Sequence, residues 1–376
     1  MYPGLGIWIL LQAYVVWRAG SVPAVAKRVP RWALALIVLL LWSTVFAARF
    51  AERAGQRGIA AALELVGMTW LGVLFLSCVA LIAADLVTAF GLLLRRQAPR
   101  IRGWALVAGL ALSSLALVQG LRPPVVRDYE VRLAGLPAAL DGTVVVAISD
   151  LHLGTLIGER WLRARIAQVE ALHPDLVVAL GDVVEGHGGV EAGIVPALRG
   201  LAAPFGAYAV SGNHEHYGRG GAGADPLAAA GIEVLHDRWV EPRPGLVVAG
   251  VDDLTARRHA GGARDSTAVL TALAGRPPGA TLFLSHSPLR AEEAARAGVG
   301  LMLAAHTHGG QIWPLTYVSA TRYPLQAGRY VVLGMPVIVS RGAGTWGPRM
   351  RLWRPGEILR ITLRAAPPSL TGERSF

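Results

Sequence analysis

Before residue 122 the chain runs through four apolar segments, and no other feature restricts its fold as much. They are Met1 to Trp17, interrupted by Gln12; Trp32 to Ala48, apolar apart from Ser43 and Thr44; Leu65 to Ala84, uncharged and continuing past Asp85 to Leu94; and Trp104 to Leu121. A bilayer-spanning helix needs about 17 to 25 residues of this kind. The last three segments read as spans and the first as an interfacial or partial span, giving a transmembrane helical region of three to four spans over residues 1–121. The first segment lacks a charged leader ahead of its apolar run, so it is expected to be retained rather than cleaved. Arginine clusters between the runs argue against burial in a water-soluble core.

Composition supports a membrane part, with 53% hydrophobic and only 16% charged residues, beyond the range usual for globular chains. The net charge of +11 could suggest a nucleic-acid partner, but residues 1–120 carry +8 of it and the remainder only +3. Basic residues therefore flank apolar runs and form no aromatic-interleaved stripe on a folded domain, so no nucleic acid is expected. Loop charges suggest an orientation. Arg18, Lys27, Arg28, Arg31, Arg95, Arg96, Arg100 and Arg102 fall on one side, against Arg49, Arg53, Arg57, Arg122, Arg127 and Arg132 on the other. Eight against six places a multi-pass protein in the cell membrane with its C-terminal domain on the non-cytoplasmic side. Trp17, Trp32 and Trp104 at segment ends suit interfacial anchoring. Asp85, near the end of the third segment, is expected to serve a function or to reach the interface. The single Cys78 excludes an intramolecular disulfide.

After Leu121 the composition shifts. Arg122, Pro123 and Pro124 end the last helix, residues 122–141 read as a linker, residues 142–366 as an α/β domain, and residues 367–376 as a C-terminal tail. Short Val/Ile/Leu runs predict strands over 143–149, 176–180, 207–211, 246–251, 281–285, 301–305 and 337–340, with amphipathic helices over 159–172 and 290–297 among them. Alternating strands and helices imply an α/β sheet fold with ligands at the strand C-terminal ends.

Five of those strand ends carry related chemistry. AISDLHLG delivers Asp150 and His152, which residues two apart on an extended segment would aim at one point. GDVVE delivers Asp182, GNHE delivers Asn213 and His214, SHSP delivers His286, and AHTHGGQ delivers His306 and His308. Oxygen and imidazole donors without thiolate suit Mn, Fe or Zn.

These blocks, in this order and spacing, resemble those of the calcineurin-like metallophosphoesterases, and the HTHGGQ ending with preceding membrane helices is closest to the membrane-associated YaeI/YkuE-like branch. The resemblance covers about residues 142–363. It implies a four-layer α-β-β-α sandwich, preceded here by an all-α transmembrane region, and a centre of two divalent metal ions. Carried over by position, Asp150, His152 and His308 would hold one metal, Asn213, His286 and His306 the other, and Asp182 would bridge them. A metal-bridging hydroxide would attack phosphorus, with His214 as the catalytic acid. Glu215, beside His214, is expected to orient it; Arg341, in a Gly-rich turn, is expected to grip a phosphate. Glu185 stands where many relatives carry Asp or Asn and is expected in the outer shell or against substrate, and Ala305 replaces a frequent Gly. His187, His216 and His259 are further substrate-contact candidates.

The function this implies is a membrane-anchored, dinuclear metal-dependent phosphoesterase acting on phosphomonoester, phosphodiester or pyrophosphate bonds. The adjacent bilayer makes a lipid-linked substrate plausible. UDP-2,3-diacylglucosamine is the one that the branch suggests, and it would require a cytoplasmic catalytic domain, against the charge count. The alternative is a membrane sensor or transport component that binds metal or phosphate without turnover. A nuclease fits the near-neutral soluble portion least.

Overall fold

The computed structural model describes residues 3–185, 191–216, 225–259 and 267–366. The chain divides into two compact units, residues 1–122 with 346–353, and residues 123–345 with 354–376.

The first unit is helical. Helix α1 covers Pro3–Ala19, a short α2 Pro23–Ala26, α3 Arg31–Arg53, α4 Arg57–Val87 and α5 Ala98–Leu121. The helices α3, α4 and α5 are long and apolar enough to cross a membrane, whereas α1 is shorter. Trp17, Trp32 and Trp104 are exposed near helix ends, as interfacial anchors should be. Asp85 departs from expectation: it is fully buried rather than reaching toward an interface. Its carboxylate takes Arg102 Nε at 2.8 Å, Tyr14 Oη at 2.8 Å and the Arg18 guanidinium, so the acid ties α1, α4 and α5 together. An ion pair with both carboxylate oxygens engaged is the form in which such a charge is tolerated. The unit also contains Trp346–Trp353, far away in sequence. Arg351 N–H donates to the Ala116 carbonyl at 2.8 Å, and a Cβ on Gly120 would lie 2.5 Å from the Arg349 carbonyl oxygen.

The second unit is built on two six-stranded sheets. The first has the order β1 (Val125–Leu133), β12 (Glu357–Ala365), β2 (Val144–Ile148), β3 (Leu176–Ala179), β4 (Ala207–Ala209), β5 (Glu233–Val234). The second runs β10 (Gly328–Val332), β11 (Met335–Val339), β9 (Leu301–Ala304), β8 (Ala280–Ser285), β7 (Leu246–Val251), β6 (Arg238–Arg243). Strands β2 to β5 are parallel, as are β7, β8, β9 and β11, while β10 and β6 close the second sheet antiparallel. Every strand expected from the apolar runs is present. The linker assignment is corrected in part, because 125–133 pairs along its whole length with β12.

Alternation divides each strand between two cores. Val145, Ala147 and Val178 meet Val248, Leu282 and Leu303 between the sheets. Val146, Ile148 and Val177 face outward against Leu162, Ile166 and Val169 of α6 (Glu159–Glu170) and Ile194 and Leu198 of α7 (Ile194–Leu198). On the opposite side Phe283, Met302 and Val337 pack on α11 (Ala268–Leu273) and α12 (Ala291–Arg296). The result is the expected α-β-β-α sandwich. Short helices α8 (Asn213–His216), α9 (Asp225–Ala229), α10 (Leu254–His259) and α13 (Leu315–Ala320) fill the connections.

Candidate metal centre

All seven expected ligands follow the C-terminal ends of parallel strands. Asp150 and His152 follow β2, Asp182 follows β3, Asn213 follows β4, His286 follows β8, and His306 with His308 follow β9. The route by which the first pair converges differs from the one expected. Asp150 and His152 lie beyond the strand with φ of 49° each, and Asp182, His306 and His308 are also left-handed, at 51°, 72° and 49°. Non-glycine residues rarely occupy this region, and they do so mainly where surrounding structure holds them for function. Gly212 shows how tightly the loops pack, since a Cβ there would lie 2.2 Å from Asp182 Oδ1.

Three groups of donors result, one of them formed by His152, Glu185 and His214, and the other two by the expected ligands. In one of these two, Asp150, His152 and His308 bring their ligand atoms together; in the other, Asp182, His286 and His306 do. Asp182 belongs to both neighbourhoods: its Oδ2 lies 3.2 Å from His286 Nε2 and 3.9 Å from His152 Nε2. The other oxygen, Oδ1, accepts the His214 backbone N–H at 2.8 Å. Asn213, buried, sits one residue before that N–H at the start of α8. His286 Nδ1 donates to the Leu180 carbonyl at 2.7 Å, which turns its Nε2 inward. His306 engages Tyr323 Oη through Nε2 at 2.8 Å and turns Nδ1 toward His286 Nε2 at 3.1 Å. Such outer contacts fix the tautomer and direction of a ligand ring.

The donor set fits divalent cations. Asp150 is fully buried, and neither of its carboxylate oxygens accepts a hydrogen bond from any described residue. Burial pushes that carboxyl up from its ordinary value. His152 Nε2 and His308 Nε2 face each other at 3.0 Å, a distance at which two lone pairs repel unless a proton or cation lies between them. Burial, followed by the nearby charge of His286, lowers His306 to about 4, leaving a neutral imidazole with a lone pair to offer. At Asp182 burial acts upward, but the charges and hydrogen bond of His286 outweigh it and hold the carboxyl well below its usual range.

The outer contacts are distributed differently from the expectation. Glu215 does not orient His214. Its carboxylate accepts the backbone N–H groups of Asp182 at 2.9 Å, Val183 at 2.7 Å, Val184 at 3.1 Å and Gly212 at 2.7 Å. Adjacent residues on a helical turn point about 100° apart, so Glu215 and His214 face different surroundings. The partner of His214 is Glu185, whose Oε2 lies 2.7 Å from His214 Nδ1 while Oε1 lies 2.8 Å from His152 Nδ1. Burial would raise the Glu185 carboxyl, but bonding to the two imidazoles outweighs it and holds the group well below its usual range. Burial would likewise lower His214, and the bond to Glu185 with the surrounding carboxylates raises it instead.

Arg341 is also corrected. Its guanidinium and backbone N–H are engaged by the buried Glu357, with Nε to Oε2 at 2.7 Å and N to Oε1 at 2.9 Å. Its Gly-rich turn supports Asp150 instead: Gly344 N–H donates to the Asp150 carbonyl at 3.0 Å, and a Cβ on Gly342 would lie 2.6 Å from Asp150 Cβ. Ala305 is buried in the core between the sheets, which accommodates its methyl group. His216 Nε2 meets Ser211 Oγ at 3.1 Å. His187 and the His259 side chain lie outside the described residues. Tyr323 was missed because nothing in the sequence links it to an HTH block.

The comparisons with known proteins agree with this geometry. Residues 143–310 match the family profile described as calcineurin-like phosphoesterase. An uncharacterized metallophosphoesterase of Aquifex aeolicus is 34% identical over 243 residues, covering 64% of this chain and 91% of that protein. A Danio rerio transmembrane protein with metallophosphoesterase domain is 33% identical over 281 residues, 70% of this chain and 62% of that relative's length. The uncharacterized metallophosphoesterase YkuE of Bacillus subtilis is 28% identical over 249 residues, 63% of this chain and 85% of that one. Bridged carboxylate and histidine clusters at the strand ends of a two-sheet sandwich define a metallophosphoesterase domain. The chain belongs to the calcineurin-like phosphoesterase family, and its relatives include YkuE and a protein with membrane spans in its name.

Proposed function

We propose that this chain is a membrane-anchored phosphoesterase that hydrolyses phosphomonoester, phosphodiester or pyrophosphate bonds with water as nucleophile. The observation that carries this reading is the position of Asp182 Oδ2, which makes one carboxylate common to two groups of ligands. Asp150, His152 and His308 would hold one divalent cation and Asn213, His286 and His306 the other, with Asp182 available to both; Mn, Fe and Zn suit these donors. When bound, such a pair supplies Lewis acidity to the phosphoryl oxygens and lowers the pKa of water. Glu185 holds the His214 ring through Nδ1 and favours its charged form, so Nε2 can hand a proton to the departing oxygen. Glu215 fixes the backbone around Asp182, and Glu185 also orients His152.

The bilayer anchor favours a lipid-linked phosphoester as substrate. With α3, α4 and α5 each crossing, the loops around 18–31 and 95–102 would share one side and the chain after residue 122 the other, whether or not α1 crosses. Eight basic residues on the first side favour the cytoplasm there and a catalytic unit outside it, which weighs against a cytoplasmic nucleotide-linked lipid.

The full chain in detergent, loaded with Mn²⁺, should hydrolyse p-nitrophenyl phosphate or its bis ester, and Asp182→Ala should remove that activity. Metal binding without turnover across nucleotides, lipid phosphates and nucleotide-linked lipids would instead favour a sensor. Alkaline phosphatase and green fluorescent protein fused in turn to the C-terminus read the sidedness; fluorescence without phosphatase activity would reverse it.

A further inference from the structure

Four of the eight exposed large apolar side chains among the described residues of the second unit fall within six positions: Trp313 at 38%, Leu315 at 37%, Tyr317 at 68% and Val318 at 65% exposure. They lie on α13 and the turn entering it. Scattered exposed apolar residues are ordinary, but concentration in one short element marks a contact surface. This element is also attached to the metal centre at both ends. It begins just beyond His308, where Thr316 Oγ1 donates to the Gly309 carbonyl at 2.9 Å, and the chain leaving it delivers Tyr323 to His306.

The sequence around α13 lacks acidic residues: none occurs between Glu293 and Glu357. Arg322 directly follows α13 and is exposed. Exposed Trp and Tyr, apolar neighbours and an adjoining Arg form the combination that suits the headgroup layer of an anionic bilayer. The chain carries three helices of bilayer-spanning length, so a lipid surface stays at high effective concentration around this unit.

We propose that α13 and its entry turn are the surface by which the catalytic unit rests on an anionic lipid bilayer, holding the metal centre at headgroup level. The contact is independent of the turnover proposed above and is tested by lipid proximity. Single-cysteine full chains, made by adding Val318→Cys to a Cys78→Ala background, would carry an environment-sensitive fluorophore in nanodiscs of phosphatidylcholine with or without phosphatidylglycerol. Leu333→Cys serves as comparison. It is 63% exposed but lies just beyond β10, and the antiparallel pairing of β10 with β11 puts that hairpin tip at the end of the sheet away from the ligands.

Nitroxide placed at the lipid headgroup should quench the label at 318, more strongly with phosphatidylglycerol, and leave the label at 333 open to aqueous iodide. Adding Tyr317→Ser should reduce the lipid quenching while p-nitrophenyl phosphate hydrolysis stays unchanged, showing an intact fold. Iodide quenching alone at 318 in both lipid mixtures, or equal lipid quenching at 318 and 333, would overturn the proposal.

Discussion

Glu185 takes over the role that the sequence suggested for Glu215. One carboxylate spans two imidazoles, one on a proposed metal ligand and one on the proposed proton donor, so a single substitution should affect both. Glu185→Gln keeps the shape and removes the charge, and contacts of this type usually carry 10- to 100-fold in metal affinity or activity, hence roughly that loss in kcat/KM. It should also move the pH profile. His214 in the intact site has a raised pKa, so as an acid it is active below that value and fails as the pH climbs through it. Without the Glu185 charge the value drops, and the alkaline limb of kcat/KM against pH should shift to lower pH. An unmoved limb would mean that His214 is not the group titrating. An outer-shell place for Glu185 was legible along the chain, but its pairing with His214 was not, because Glu215 is adjacent in sequence while Glu185 follows another strand. The candidate ligands themselves were legible, since each block holds its donor within a few residues of a recognisable apolar run.

At the scale of elements, buried strands announce themselves and edge strands do not. Central strands such as β3, LVVA, and β8, ATLFLS, are buried throughout and read as short runs without charge. β1 reads VVRDYEVRL, is largely exposed, and lies at the sheet edge, so its charges and the two prolines before it made it resemble a linker. The turn after β11 offers a test of support without ligation. Gly342 has φ of +75° and no room for a Cβ beside Asp150, whereas Gly334, at φ of +85°, has nothing within 4 Å of the same position. Gly334→Ala should cost only the backbone strain, about 1 kcal/mol. Gly342→Ala should cost about 1–3 kcal/mol and also lower metal occupancy. Thermal melts and metal analysis of the two variants side by side would show whether the Asp150 loop depends on that glycine.

At the scale of the whole molecule, the bilayer third was plain from composition, but its membership was not. Trp346–Trp353 belongs to the helical unit although it lies between two stretches of the catalytic one. Its sequence gives no warning, because the contacts of Met350 beside Gly72 and of Arg349 against Gly120 join residues more than 200 positions apart. A fragment beginning at Pro123 would keep this segment and lose the helices it packs on. Such a fragment should self-associate on size-exclusion chromatography, and replacing 346–353 with a Gly/Ser linker should return it to a monodisperse species. The same excursion bears on ancestry. Because the chain re-enters the helical unit late, one recombination event near residue 122 could not separate the two units cleanly. A second unit severed from its helices would carry a plug shaped for partners it had left behind, so a relative that has this domain without the helices is expected to differ most at the positions of 346–353.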